Sequence, residues 1–446
     1  MEGVEISLLL IPEGRSGPEE ASHLRELVPV IRRVMDGCGV RWEVVVVSGG
    51  EGEEGEGGEG GGGDELRSAA EAEGARVVVE EGAYGDRFRR GVAECSGEHI
   101  ITMDTDYSHP PALLRAMVES RARADVIIAS RYIAGAAADM GFFRKTFSRM
   151  LNRLFRWVLD MPVRDLSSGF RMYSRRALDE IELEGASYDV LIESLLRIKA
   201  AGFLIEEIPF HYRSRSGLAK LRARRSARSY LRTFRRMRQL RNSWSACDYD
   251  DRAFDSIIPL QRYWQRKRYR EITGFSDPSK LTLDIGCGSS RIARSMPRLV
   301  GLDLNVKPLR YLRRQGVLAV SGDLTQLPFR DGEFPQVICS EVIEHLPAER
   351  MDFDELARVI EPGGTLVIGT PNYAKWMWRL LEKIYNIVLP QAHGTGHVSQ
   401  YTHVTLKQKL AAVGIDVVAR GGVFFGCQLV FKCVKRDGDG ETEKEG

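Results

Sequence analysis

The side chains with the clearest chemical use are carboxylates at the ends of apolar runs. HIITMD, residues 99–104, is followed by Thr105 and Asp106, so Asp104 and Asp106 stand one residue apart where a strand would end. Alternating hard oxygen ligands of this kind can hold Mg²⁺ or Mn²⁺, which binds through one or two carboxylates together with substrate phosphates. Taken alone, the triplet also reads as surface aspartates capping a helix that begins near Pro110. In the second half LTLDIGCGSS, Leu281–Ser290, turns an apolar strand through Gly286 and Gly288, letting backbone approach a ligand closely. The run RLVGLD then ends at Asp303, nineteen residues after Asp284, where an acidic side chain holds ribose hydroxyls in nucleotide-binding α/β folds.

Carboxylates so placed need sheets behind them. ISLLLI, WEVVVV, ARVVVE, HIITMD and DVIIAS alternate with longer amphipathic segments, the pattern of a parallel sheet flanked by helices, and a second alternation runs from Leu281 to about Lys435. A chain of 446 residues exceeds what one core usually serves, so two α/β domains are expected. The expected division is 1–243 for the first domain, 244–279 for a connector, 280–435 for the second domain and 436–446 for a disordered, charged tail. The connector carries aromatic clusters around Tyr249–Phe254 and Tyr263–Tyr269 and is expected to pack on the second domain. SGGEGEEGEGGEGGGGD, residues 48–64, reads as a mobile surface loop.

Composition narrows the class. A formal charge of +2, with 28% charged and 43% hydrophobic residues, belongs to an ordinary globular protein, so any basic effect is local and no nucleic-acid partner is expected. Seven cysteines without a C-x-x-C pair argue against a disulfide framework or structural zinc and point to a reducing cytoplasm. Val4–Ile11 reads as a strand and not a secretion signal, and no apolar stretch reaches the roughly 18 residues of a spanning helix. Expected membrane contact is therefore peripheral, at the cytoplasmic face. The segment Arg213–Arg241 interleaves arginines with Leu218, Leu221, Tyr230, Leu231, Phe234, Met237 and Leu240, a basic amphipathic helix. It suits an anionic membrane surface, a solvated helix face, or nucleic acid, and no base-reading motif supports the last.

Four ordered elements resemble one family: MDTDYSHPPALL, ASRYIAG at Ala129–Gly135, DLSSGFRMYSRRAL at Asp165–Leu178, and RSRSGLAKL at Arg213–Leu221. They resemble the dolichyl- or polyprenyl-phosphate mannose synthase branch of family 2 inverting GT-A glycosyltransferases. The resemblance implies a GT-A fold, a divalent metal on Asp104 and Asp106, a GDP- or UDP-hexose donor and a polyprenyl phosphate acceptor. It makes Arg131, with Arg144 and Ser148, the expected clamps on diphosphate or acceptor, since guanidinium forks bind phosphate bidentately. It also implies acceptor-side roles for Asp165, Ser168 and Arg171 and a late phosphate contact for Lys220; Ser168 and Gly169 equally shape a turn. PEGRSGPEE at Pro12 and SGGEGEEG at Ser48 depart from the family's P-x-Y-N-E and Asp-Asp-x-Ser elements, so a degenerate lipid-phosphate-docking domain is the alternative to an active one.

In the second half LTLDIGCGSS, RLVGLD, SGDLTQLPF, VICSEVIEHL and ELARVIEPGGTLVIGTPN together resemble class I methyltransferases with a Rossmann-like fold. The resemblance implies S-adenosyl-L-methionine as cofactor, with Asp284 and Gly286, Cys287 and Gly288 along its methionine part, Asp303 on ribose, and Asp323 with Leu324 at adenine. A dehydrogenase would need a third glycine where Arg291 stands. Glu341, Glu344 and His345 are placed beside the methyl-bearing face; His345 is a general base or a residue that caps its own turn. Residues 372–403, with Trp376, Trp378, Tyr385, His393, His397 and His403, are expected to form an acceptor lid, and the histidine spacings there match no compact metal motif. The expected whole is a bifunctional enzyme of glycan or glycolipid assembly that transfers a hexose and methylates a sugar hydroxyl or related acceptor.

Overall fold

The computed structural model describes residues 3–12, 18–49, 62–139, 142–213, 223–388 and 397–437. The chain divides into two compact units, Met1–Arg238 and Gln239–Gly446. Lys220 and nearly all of the RSRSGLAKL run, His393, much of the glycine-rich loop and most of the tail lie outside the described residues.

Among the described residues nine strands build the first unit: β1 (Ile6–Leu10), β2 (Trp42–Ser48), β3 (Arg76–Val79), β4 (His99–Met103), β5 (Val126–Ser130), β6 (Ala137–Asp139), β7 (Arg171–Ser174), β8 (Ile205–Pro209) and β9 (His211–Arg213). The main sheet has the order β3-β2-β1-β4-β7-β5-β8, and β6 pairs with β9. Strands β1 to β4 are parallel, with Leu8 opposite Val44 and Ile101. Every residue of β1 is buried, as expected of a strand covered by helices on both faces. The sheet is not wholly parallel as expected, because β7 runs antiparallel between β4 and β5. An apolar strand buried on both faces carries no mark of its direction. The reversal matters, for it delivers residues 165–169, which precede β7, to the carboxyl ends of β4 and β5. Thr102 Oγ1 donates to Gly169 O there at 2.6 Å.

Among the described residues the second unit has seven strands: β10 (Thr282–Ile285), β11 (Leu299–Asp303), β12 (Leu318–Ser321), β13 (Phe334–Ser340), β14 (Ile360–Pro371), β15 (Ile415–Val423) and β16 (Gln428–Lys435). Their order is β12-β11-β10-β13-β14-β16-β15, parallel through β14 and then antiparallel. The order reverses about β10, which opens a crevice at its carboxyl end. Helices Tyr249–Phe254 and Pro259–Phe275 belong to this unit, and Ile272 is packed with Leu309, Val367 and Val430 in its core. Among the described residues no helix is long and apolar enough to cross a membrane.

One close approach fixes a wall of the first unit's crevice. Helix Tyr84–Glu94 starts with Gly85 N donating to Ala186 O at 3.0 Å, and Tyr84 stacks on Tyr188 with ring centroids 4.3 Å apart. A Cβ on Gly85 would lie 2.0 Å from the Gly185 carbonyl oxygen. Gly85→Ala is expected to destabilise the first unit by about 1–3 kcal/mol, seen as an earlier urea transition; an unmoved midpoint would show that residues 185–188 retreat freely.

Candidate functional site

In the first unit Asp104 follows β4 directly, and its N–H donates to His109 Nδ1 at 3.0 Å. That bond places the proton of the neutral ring on Nε2, which lies 3.5 Å from Asp104 Oδ2. His109 is buried and stacks on Phe170, centroids 4.9 Å apart. Burial lowers its pKa to about 3; Asp106 and Asp165 oppose the shift and Arg131 adds to it. His109 is therefore a neutral positioning group among the charges expected to do the chemistry. Asp106 Oδ1 accepts Ser108 N–H at 3.0 Å, and the intervening Tyr107 has φ 60°, a left-handed backbone costly for a side-chain-bearing residue. Its hydroxyl holds the turn by donating to Glu26 at 2.8 Å. Gly169 borders Asp104, since a Cβ there would lie 3.6 Å from Asp104 Oδ1.

Arg131, at the end of β5, grips the fully buried Asp165 with Nε and Nη2, both at 2.7 Å, and its backbone N–H adds a bond at 3.1 Å. Burial pushes the Asp165 pKa up, but these bonds outweigh it and hold the carboxyl below its ordinary value. Arg131 Nη2 also reaches Ser167 Oγ at 2.8 Å, and neighbouring Tyr132 OH meets Ser148 Oγ at 2.7 Å. Asp104, Asp106, Arg131, Ser148 and Asp165 are thus brought to one end of the sheet. Arg171 is a correction. It is fully buried, Nη2 donates to Leu166 O at 2.8 Å and Nη1 to the Leu191 carbonyl and Tyr173 OH, so it braces the turn and faces no acceptor. Ser168 is buried as well, its Oγ accepting Phe170 N–H at 3.4 Å, which makes it a turn residue. Arg144 lies on helix Phe142–Leu159, with its side chain outside the described residues.

In the second unit Gly286 and Gly288 have φ 66° and 50°. A Cβ would lie 2.2 Å from Val342 Cγ2 at the first and 2.5 Å from Asp250 Oδ2 at the second. Gly288 N–H donates to Asp303 Oδ2 at 2.9 Å and Asn305 N–H to Oδ1 at 2.8 Å, fixing that carboxylate. Asp284 is buried with Oδ2 unbonded. Burial raises its pKa to about 7, opposed by Arg268 and reinforced by Asp303 and Asp250. Cys287 is a partial correction, because its thiol turns into the core toward Gly301 and only its backbone can line a ligand. The Leu324 side chain likewise belongs to the core with Leu302 and Phe334, leaving its main chain, while Asp323 Oδ1 accepts Thr325 N–H at 2.9 Å.

Sequence reasoning passed over the connector's part in this site. Asp250 N–H donates to Ser289 Oγ at 3.0 Å, Ser289 N–H returns to Asp250 Oδ2 at 3.2 Å, and Arg268 lies 3.9 Å from Asp250. The Arg268 charge also acts on Glu341 and Glu344, whose carboxyls burial raises. Nothing in the spacing of RKRYRE marks Arg268; His109, five residues after Asp104 in MDTDYSH, was in view without a role. The chain's residues fit S-adenosylmethionine, which carries a sulfonium, an ammonium and a carboxylate. Asp250, Asp284, Asp303 and Glu341 make an acidic wall on which Asp284 Oδ2 is unbonded, and Arg268 is the single cation named among them, suited to the ligand's carboxylate.

The first unit thus presents a sheet-end acidic pair and the second a glycine turn with an acidic wall. Residues 25–182 match the family described as glycosyl transferase family 2, and residues 283–368 match the one described as methyltransferase domain. The first unit thus carries a glycosyl transferase family 2 domain and the second a methyltransferase domain, as the motifs led us to expect. It is 27% identical over 210 residues to the dolichol-phosphate mannosyltransferase of Pyrococcus furiosus, covering 46% of this chain and 57% of that protein. It is 30% identical over 128 residues to the polyprenol monophosphomannose synthase of Mycolicibacterium smegmatis, 27% of this chain and 48% of that one. The second half is 27% identical over 146 residues to the ubiquinone biosynthesis O-methyltransferase of Erwinia tasmaniensis, 30% of this chain and 58% of that one. The chain thus spans about half the length of each of these relatives.

Because the folded-state pKa of Asp284 lies above its ordinary 3.8, the folded form keeps a proton that the unfolded form gives up. Stability of the unliganded second unit should therefore fall as pH rises from 3.8 to about 7. Asp284→Asn is expected to remove this loss, stabilising the unit at pH 8 by up to about 4 kcal/mol, with the gain vanishing near pH 4 and S-adenosylmethionine affinity reduced. Urea titrations at the two pH values check it; a pH-independent difference would refute the assignment.

Proposed function

We propose that the first domain transfers a hexose, with inversion, from a GDP- or UDP-sugar to polyprenyl phosphate, and that the second methylates a sugar hydroxyl or related acceptor. The observation that carries the first half is the meeting of Asp104 and Asp106 with the Arg131–Asp165 pair at one sheet end, a consequence of the antiparallel β7. A divalent cation, Mg²⁺ or Mn²⁺, held by Asp104 and Asp106 would supply neutralisation of the departing diphosphate. His109 keeps Asp104 in place through its backbone and carboxylate, and stays uncharged so that it does not compete with that cation for the carboxylates. A polyprenyl phosphate, with a second pKa of roughly 6, is already ionised and needs alignment more than a base. Arg131, preset by Asp165, is the side chain we assign to that alignment. The names of the matched relatives, a mannosyltransferase and a mannose synthase, support this reading.

In the second domain S-adenosylmethionine supplies an electrophilic methyl group. The chain's residues bind and orient it: Asp303 is held by two backbone N–H groups to face ribose hydroxyls, Asp284 and its acidic neighbours favour the positive end, and Arg268 favours the carboxylate.

The lipid substrate calls for a membrane-facing surface, and helix Phe142–Leu159 offers one. Met150, Leu154 and Trp157 are exposed at 61%, 50% and 77%, a stripe at helical spacing among Arg149, Arg153 and Arg156. Helix Ala223–Arg241, on which membrane contact was expected, packs beside it through Phe155 and Phe234 and exposes Leu231. We therefore assign peripheral docking on anionic lipid to both helices together.

Two measurements test these readings. Transfer of radiolabelled sugar from GDP-mannose, GDP-glucose or UDP-glucose to polyprenyl phosphate should fall at least about a hundredfold in Asp106→Ala; equal background signals in both proteins would instead favour a domain that only docks lipid phosphate, the reading prompted by the altered segments at Pro12 and Ser48. Sedimentation with vesicles rich in anionic lipid should weaken about tenfold or more in Leu154→Glu/Trp157→Glu, and undiminished binding would remove this surface.

A further inference from the structure

We propose that Glu344, His345 and His397 form a divalent-cation site beside the methyl-transfer centre, and that the cation takes the hydroxyl group of the methyl acceptor. One ligand atom from each of the three residues lies within 4.8 Å of the others, and the two imidazole rings are 5.1 Å apart. Glu344 and His345 occupy the short turn after β13, while His397 arrives from more than fifty residues along the chain. Its approach is fixed: Val398 and Ser399 N–H groups both donate to Glu344 O, at 2.9 and 3.0 Å, and Ser399 Oγ donates to Leu346 O at 2.6 Å.

The surroundings suit metal ligation. His397 Nδ1 lies 2.8 Å from Glu382 Oε1 and 2.7 Å from Tyr373 OH, and Trp378 stacks on the ring at 5.9 Å. A carboxylate on one ring nitrogen fixes the tautomer and turns the other nitrogen, Nε2, into the ligand. Glu344 supplies an independent sign. It is 0% exposed, its Oε2 accepts Thr370 Oγ1 at 3.1 Å, and its Oε1 is buried with no hydrogen-bond partner. A buried carboxylate oxygen left unbonded beside two imidazoles is the environment a cation completes. Two imidazoles and one carboxylate, with coordination positions left over, favour Zn²⁺, Mn²⁺ or Co²⁺ over ions that prefer all-oxygen shells. His397 finds its partners on the turn after β13.

The proposal rests on the methyl-transfer reading only for what the cation does. A hydroxyl bound to the cation releases its proton to water more readily. Its oxygen lone pair then forms the bond to the donor methyl carbon while the carbon–sulfur bond breaks, the electron pair staying on sulfur, which leaves as a neutral thioether. His345 acts in this scheme as a ligand, and neither as the general base nor as the turn cap that the sequence offered.

The test uses the full chain carrying Asp106→Ala, so that the first unit's aspartates do not contribute, stripped with a chelator and titrated with Co²⁺. Saturable binding of one equivalent, with visible absorption bands displaced by Zn²⁺, is expected. His397→Ala and Glu344→Gln should each weaken Co²⁺ at least about tenfold and abolish the bands, with S-adenosylmethionine binding by calorimetry retained in His397→Ala and a cooperative urea transition retained in Glu344→Gln as evidence of an intact unit. His397→Gln, which removes no buried charge, decides the matter if Glu344→Gln fails to fold. Absence of saturable Co²⁺ binding, or bands unchanged in His397→Ala or His397→Gln, overturns the proposal. Failure of the methyl-transfer reading shows separately, as lack of S-adenosylmethionine binding in a protein that still takes Co²⁺.

Discussion

A carboxylate withdrawn from water must meet a positive charge, collect hydrogen bonds, or keep its proton, and both halves of this chain are organised round that constraint. Asp165 meets it with Arg131, whose fork closes on both oxygens at 2.7 Å. Asp303 meets it only in part, with two backbone N–H groups that oppose a burial which still leaves its pKa raised. Asp284 meets it with neither, and burial lifts its pKa to about 7. Carboxylates settled within the protein are scaffolding; those left unsettled mark where a cationic ligand completes the structure.

The scaffold supports the arrangement by backbone geometry as much as by side chains. Tyr107 and Glu341 both adopt a left-handed backbone, at φ 60° and 61°, and each lies beside an acidic cluster at the end of a central strand. Such conformations cost of order 1–3 kcal/mol and persist only where surrounding contacts hold them. The Tyr107 hydroxyl on Glu26 and the Gln428 amide on Glu341, at 2.7 Å, are contacts of that kind. Arg171 serves the same end from below, tying the Leu166 and Leu191 carbonyls so that residues 165–169 present Asp165 and Gly169 to the crevice.

Legibility in the sequence followed how local each feature is. The two α/β domains were legible because β-branched runs such as WEVVVV and DVIIAS admit little else, and the glycine turn because Gly286 and Gly288 stand where only positive φ serves. The direction of β7 was not, since pairing direction is settled by neighbours more than forty residues away. Arg268 and Asp250 were missed for a similar reason: their meaning comes from the fold returning the connector to the end of β10. Arg171 misled in the opposite way, for an arginine inside a family motif reads as a ligand contact until its burial is known. His397 gains its partners only when the backbone bonds from residues 398 and 399 to Glu344 bring the segments together.

Both sites are built from carboxyls and one arginine, and they differ in how the carboxyls are settled. In the first, Asp165 is closed on Arg131 with Asp104 and Asp106 beside it, so on the reading proposed above a phosphate is accepted there once a cation is held by the two aspartates. In the second, burial raises Asp284, Asp303 and Glu341, and Arg268 is the one cation named among them, so a phosphate would push these acidic groups still further towards protonation. On the same reading a phosphate-bearing acceptor is better presented to the methyl-transfer centre by an uncharged end, which favours methylation at sugar hydroxyls away from the phosphate.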